Sequence, residues 1–346
     1  MTNANLVRAG ADDRRFPGLS TCQLSAVERQ QLAEGLRHYQ TFTDDRFPGD
    51  VACQRLLARI AADRLLPQAA PGLGRVIERA RTDQVDCIYV TDLPTEKSIA
   101  GLLALTLGSA LGWVFNYASR TGDELVMEVC SDRSGVAIDR AKLDWHTEGG
   151  FVSRDRRAEW ICLFGLDNSP GTSMAYAPIA AVEQTLSARS RAWLHGRSAC
   201  FHMPRDAAPS ANDARAVLSR SPLGQIEIVW PSYAVHPATP GDAIGVGALS
   251  ELSAEINRQY FRVSLDPGCL LAFNNCRGVH MHSPADTDGY HRFYKSYARH
   301  SLRALQQATG QTGPIFSLAG ASAGTEFAGR PRPSQGAGEP QQPAVA

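Results

Sequence analysis

Beyond Trp113 the sequence breaks into short runs of β-branched, aromatic and aliphatic residues: WVFNYAS, ELVMEVC, AEWICLFGL, GTSMAYAP, SACFHM, GQIEIVWP, QYFRVSL and CLLAFNN. Turn-rich segments separate them, and a single helical stretch, VEQTLSARSRAWLHG, interrupts the series. Many short strands with polar connections favour a sandwich or jelly roll over a parallel sheet wound with helices. No internal repeat accompanies them. The first third has another periodicity. Ser25-Ala26-Val27-Glu28 reads as a capping box opening a helix to about His38, and Asp50 as the cap of a second, DVACQRLLARIAADRLL. A strand, CIYVTDLP, precedes a third helix, TEKSIAGLLALTLGSALG. These helices are expected to pack against one sheet.

Charge narrows the class of partner. Lys plus Arg and Asp plus Glu each number 35, so the chain carries no net charge. A surface built to neutralise nucleic-acid phosphates is basic, so no nucleic-acid partner is expected. The start, MTNANLVRAGADDRRFPG, holds no apolar run of a signal sequence. The most apolar stretch, IAGLLALTLGSALGWVF, is glycine-broken and reads as a buried helix followed by a strand, not a membrane span. The eight cysteines form no C-x-x-C pair, and several sit in strand-like runs, as buried reduced thiols do. A cytoplasmic protein with no membrane partner is the expectation. Residues 1–18 read as an N-terminal arm, 19–310 as one domain, and 311–346, rich in Gly, Pro and Ala, as a disordered tail. The tail's Gly320-Ala321-Ser322-Ala323-Gly324 fits a nucleophile pattern but lacks the strand-turn-helix elbow it requires.

The chemistry concentrates in two places. In LDWHTEGGF, His146 and Glu148 stand two apart, so an extended backbone turns both side chains to one face. Alone this is weak, since roughly one such pair per chain arises by chance. Later, CLLAFNNCRGVHMHSPADTDGYHRFYKSYARH offers His280 at the end of an apolar strand, and Arg292 beyond it. Two imidazoles and a carboxylate form the facial triad that leaves open positions on Fe(II). A bidentate 2-oxo acid fills two of them and needs a cation for its far carboxylate, which an arginine fork supplies.

The combined pattern, His146-x-Glu148, Asn275-x-Arg277-x-x-His280 and Asp288-Gly289-x-x-Arg292, resembles the Fe(II)/2-oxoglutarate-dependent oxygenases. It is most similar to the clavaminate synthase-like branch of the taurine dioxygenase superfamily, over about Tyr89 to Arg299. The resemblance implies an α+β, mainly β fold with a double-stranded β-helix (jelly-roll) core and flanking N-terminal helices. It implies Fe(II), 2-oxoglutarate and O2 as cofactors, with His146, Glu148 and His280 on the metal. Arg292 would hold the distal carboxylate of 2-oxoglutarate, helped by the hydroxyl of Thr172, or of Ser173 if the register slips by one. His282 shares a strand face with His280 and competes as a ligand. Arg299, at what reads as the onset of a C-terminal helix, is the substitute for Arg292.

With Glu148 in place of the small residue of halogenases, the implied reaction is hydroxylation of an unactivated carbon, giving succinate and CO2. Desaturation or ring closure at the same site stays open. The substrate class is an amino acid or derivative, free or on a carrier protein, in specialised metabolism. Arg120, Phe151 and Asp242 are the candidate substrate contacts. Two other readings remain: an oxygenase of another small acid of the taurine dioxygenase type, and a metal-binding jelly roll used for sensing. The latter would need no cation for a cosubstrate.

Overall fold

The computed structural model describes residues 7, 16–46, 50–117, 124–131, 144–150, 152–168, 173–201, 214–282 and 291–317. The chain begins with strand β1 (Leu19–Gln23) and helix α1 (Ala26–Arg46). The capping box forms as expected: Ser25 N donates to Glu28 Oε2 at 2.9 Å, and Glu28 N donates to Ser25 Oγ at 3.2 Å. The helix runs on past His38, where the sequence reading ended it. Asp50 caps α2 (Val51–Ile60) by accepting from Cys53 N. A π-helical turn (Ala61–Leu65) leads into α3 (Leu66–Ala69), then α4 (Pro71–Arg81), β2 (Cys87–Thr91), α5 (Lys97–Leu111) and β3 (Trp113–Tyr117). The apolar stretch is thus a helix followed by a strand. No helix among the described residues is long and apolar enough to cross a membrane.

Next come β4 (Val126–Ser131), β5 (Trp160–Asn168), β6 (Ser173–Pro178), α6 (Ile179–Thr185) and α7 (Ala188–His195). One helix was expected over the last two. Ser187 divides them by capping α7, accepting from Ser190 N. Short strands β7 (Ala199–Phe201), β8 (Leu218–Arg220), β9 (Ile226–Ile228) and β10 (Val235–Pro237) lead to helix α8 (Ala243–Arg258), which the sequence reading missed. The chain closes with β11 (Phe261–Ser264), β12 (Leu270–Asn274), β13 (Gly278–His282), β14 (His291–Arg299), α9 (Arg303–Thr309) and β15 (Ile315–Phe316).

The result is a mixed α/β fold. Its large sheet has the order β1-β2-β12-β5-β14-β3-β15, with β4 also paired to β14; a smaller sheet has the order β11-β6-β13. Strand alternation sends neighbouring residues to opposite faces. On the large sheet, Cys162, Phe164, Leu270 and Ala272 face α1–α5, where Leu32, Leu73 and Leu103 complete one core. Ile161, Leu163, Leu271 and Phe273 face the smaller sheet and meet Met174, Tyr176, Phe261 and Val263 in a second core. The outer face of the smaller sheet, through Ala175, Ala177 and Val279, packs under α6–α8. Burial on both faces is why WICLFGL and CLLAFNN read as unbroken apolar runs. Gly165 sits where any Cβ would collide with the carbonyls of Leu265 and Asp266. Its partner strand shifts register there, between Arg292 and Phe293.

One boundary is corrected. The tail was expected to leave the fold at residue 311, but Ile315 and Phe316 pair in parallel with Asn116 and Tyr117. Phe316 is fully buried against Phe115, so an aromatic in a Gly- and Thr-rich segment still finds a core partner. At the other end, Val7 is buried and its amide donates to the Arg262 carbonyl at 2.8 Å.

Candidate metal centre

His146 emerges from the segment before β5 and bridges to β13: each backbone amide of His146 and His280 donates to the other's carbonyl at 3.0 Å. That pairing sets the two imidazoles side by side, ring centroids 4.2 Å apart. Thr147, pointing the other way, is held by Trp230, whose amide donates to its hydroxyl at 3.0 Å. Glu148 therefore returns to the face of His146. Its peptide is clamped by fully buried Asn275, which accepts from Glu148 N at 2.7 Å and donates to Glu148 O at 3.0 Å. Gly149 then turns the chain away at φ 66°, a conformation favouring glycine. Arg277 fixes the β12–β13 turn to the chain after α4, through Asp83 at 3.1 Å and Asp86 at 2.5 Å.

One ligand atom from each of His146, Glu148 and His280 lies within 4.8 Å of the others, and all three residues are buried. Glu148 Oε2 stands 3.9 Å from His146 Nε2 and 3.7 Å from His280 Nε2. These gaps are too long for hydrogen bonds. They suit one ion, because two ligands each about 2.1 Å from a metal stand roughly 3–4 Å apart. His146 Nδ1 lies 2.7 Å from the Asp144 carbonyl, which can only accept. The proton therefore sits on Nδ1, and Nε2 keeps its lone pair for a metal.

Electrostatics prepare the same states. Burial would raise the Glu148 carboxyl, but Lys295, His146 and Tyr297 outweigh it and hold it down to about 2. Burial, reinforced by His146, Lys295 and His282, pushes His280 well below the usual imidazole value. An ionised carboxylate and a neutral imidazole are the protonation states that ligate. The donor set fits a divalent transition metal.

Several sequence candidates fall elsewhere. His282 lies on the same strand face as His280 but stacks on Phe293, centroids 5.6 Å apart, and is not in the metal cluster. Arg292, the expected cation for the cosubstrate, donates from Nε to Glu128 Oε1 at 2.6 Å. Glu128 is the register partner of Tyr294, so Arg292 and Tyr294 share a face of β14. Lys295 and Tyr297 occupy the other face, where both reach Glu148 Oε1, at 2.6 and 2.8 Å. Arg299 ends β14 rather than opening a helix, and its guanidinium is committed to Glu159 and to the carbonyls of Arg154 and Arg157. Ser173 opens β6 on the face of Ala175, away from Met174 and Tyr176. Asp242 is the N-cap of α8, accepting from Gly245 N at 2.9 Å and Trp193 Nε1 at 2.7 Å, which gives its carboxylate a structural use. Arg120, Phe151 and Thr172 lie outside the described residues.

Lys295 and Tyr297 are the site residues that the sequence reading missed. Their signal was present: Phe293, Lys295 and Tyr297 alternate along one strand, so whichever face takes Tyr297 also takes the lysine.

No family model and no curated protein matches the sequence. Solved structures do match in fold. Asparagine oxygenase in complex with Fe(II), 2S,3S-3-hydroxyasparagine and succinate superposes with a TM-score of 0.69 at 19% identity, covering 86% of this chain and 99% of that one. The non-heme iron oxygenase OrfP in complex with Fe and L-Arg gives a TM-score of 0.68 at 18% identity, covering 86% of this chain and 100% of that one.

Proposed function

We propose that the protein is an Fe(II)- and 2-oxoglutarate-dependent oxygenase hydroxylating an unactivated carbon of a free amino acid or close derivative in specialised metabolism. The observation that carries this reading is the buried cluster of His146, Glu148 and His280 between the two sheets. We read those sheets as a double-stranded β-helix with helices on both outer faces, forming a single domain that extends to Phe316. Fold neighbours crystallised with iron, succinate and hydroxylated asparagine or arginine support the choice of reaction and substrate class. The eight free thiols support a cytoplasmic setting.

His146, Glu148 and His280 would hold the iron on one face, leaving the opposite positions to cosubstrate and dioxygen. With 2-oxoglutarate bound, the metal supplies an oxidation coupled to decarboxylation of the 2-oxo acid to succinate. The chain's own part is to bind, orient and exclude water. Lys295, not Arg292, is the cation we assign to the cosubstrate's far carboxylate. Its ammonium sits beside the triad on a flexible stem. Phe293, Leu163 and Met174 supply the dry surroundings in which that charge pair is strong. A cation at this place favours the enzyme over a metal-sensing scaffold, which needs none.

The test is spectroscopic. Anaerobic protein given Fe(II) and 2-oxoglutarate is expected to develop a metal-to-ligand charge-transfer band, followed by succinate release stimulated by one member of an amino-acid panel. A wild-type protein without the band, or His146→Ala and His280→Ala variants that retain it, would refute the site.

A further inference from the structure

We infer that Tyr297 and Lys295 are positioning residues for the metal carboxylate: they engage Glu148 Oε1 and leave Oε2 as the one oxygen turned to the imidazoles. The inference rests on the metal site proposed above. The need is one of counting. A six-coordinate ion with two imidazoles, one carboxylate oxygen and a bidentate 2-oxo acid keeps one position for dioxygen. If Glu148 gave both oxygens, that position would be lost.

The geometry divides the carboxylate in two. Oε1 receives the Lys295 ammonium at 2.6 Å and the Tyr297 hydroxyl at 2.8 Å, whereas Oε2 faces the two Nε2 atoms. Asn275 already pins the Glu148 backbone from both sides, so the remaining freedom is rotation of the carboxylate. Hydrogen bonds to an ionised acceptor are the strong kind and oppose that rotation. The two donors differ in stiffness. Tyr297 is buried, its ring 5.7 Å from Tyr117 and 6.1 Å from Phe115. Lys295 lies over that ring, Nζ 5.1 Å from the centroid, at the end of a flexible stem. Tyr297 is thus the fixed post, and it keeps Oε1 engaged when Lys295 turns to the cosubstrate.

The experiment needs no turnover. Metal-free full-length protein is titrated anaerobically with Co(II), reading both Kd and the ligand-field spectrum. Tyr297→Phe, which keeps the ring, and Lys295→Met are each expected to weaken binding about 10- to 100-fold, the usual effect of losing a partner of a ligand. The spectrum should move toward higher coordination, and the double variant should show the largest change. Metal-free melting temperatures are recorded for each variant and should fall, because a donor is taken from the buried Glu148; a spectrum moved toward higher coordination is the signature that general damage would not give. A double variant with wild-type Kd and spectrum overturns the inference. If Tyr297→Phe fails to fold, Lys295→Met decides alone, and wild-type behaviour there overturns it equally. Wild-type protein that takes up no Co(II) refutes the metal site itself, a distinct outcome.

Discussion

Replacing Arg292 and Lys295 of β14 in turn separates the geometry from the motif. Lys295→Met removes the ammonium 2.6 Å from Glu148, whereas Arg292→Met removes a guanidinium bound to Glu128 on the opposite face. A carboxylate left buried without its cation costs about 3–5 kcal/mol. The Lys295 side chain keeps 16% of its exposure, so water offsets part of this, and about 2–3 kcal/mol is the better expectation. At about 1.4 kcal/mol per decade, the Kd for 2-oxoglutarate should rise about 30- to 150-fold. The assay is anaerobic titration of the charge-transfer band with 2-oxoglutarate at saturating Fe(II), which removes any change in metal affinity from the reading. Arg292→Met should titrate as wild type, and Lys295→Arg should recover part of the loss. Wild-type affinity in Lys295→Met, or the loss appearing in Arg292→Met instead, refutes the assignment.

Other expectations concern the frame. Burial would raise the Glu159 carboxyl, but the His300 hydrogen bond and the Arg299 charge hold it down to about 2. Its contribution is therefore complete above the unfolded value near 4.5 and is lost as pH falls toward 2, an acid limb worth about 3 kcal/mol. Glu159→Gln should flatten that limb in denaturant titrations and destabilise at pH 7 by about 3–5 kcal/mol, since Arg299 stays buried; an unaltered acid limb would contradict this. Asp242→Ala should lower the midpoint of chemical unfolding through loss of the α8 cap, with substrate KM unchanged. A raised KM would return Asp242 to the substrate site. Phe316→Ala should cost about 3–5 kcal/mol if the last strand belongs to the core, and nothing if it does not.

The cluster of His146, Glu148 and His280 was legible in the sequence because each half of it is local: a two-residue step in His146-Thr147-Glu148, and the short strand β13 through His280. The placement of Lys295 beside Glu148 was not, because it depends on strand parity. The motif placed an arginine near the right distance along β14, but the face is decided by which residue pairs with Glu128, and that pairing is non-local. Helix α8 was missed although Asp242 announced it. A cap preceding an apolar run spaced Ile244, Ala248, Leu252, Ile256 was read as a substrate contact instead. Strand β15 could not be read at all, since two residues carry no period and only the exposed edge of β3 gives them a partner.

The clamp on Glu148 bears on when a metal can enter. Glu148 and Asn275 are 127 positions apart in the chain, and Glu148 and Tyr297 are 149 apart. The nascent polypeptide holds two of the three ligands, His146 and Glu148, until the segment carrying His280 has been made. A metal held by this cluster would thus not nucleate the fold, as zinc nucleates a finger whose ligands are close in sequence. It would be captured by a scaffold already closed, and a chelator should withdraw it while leaving the two sheets standing.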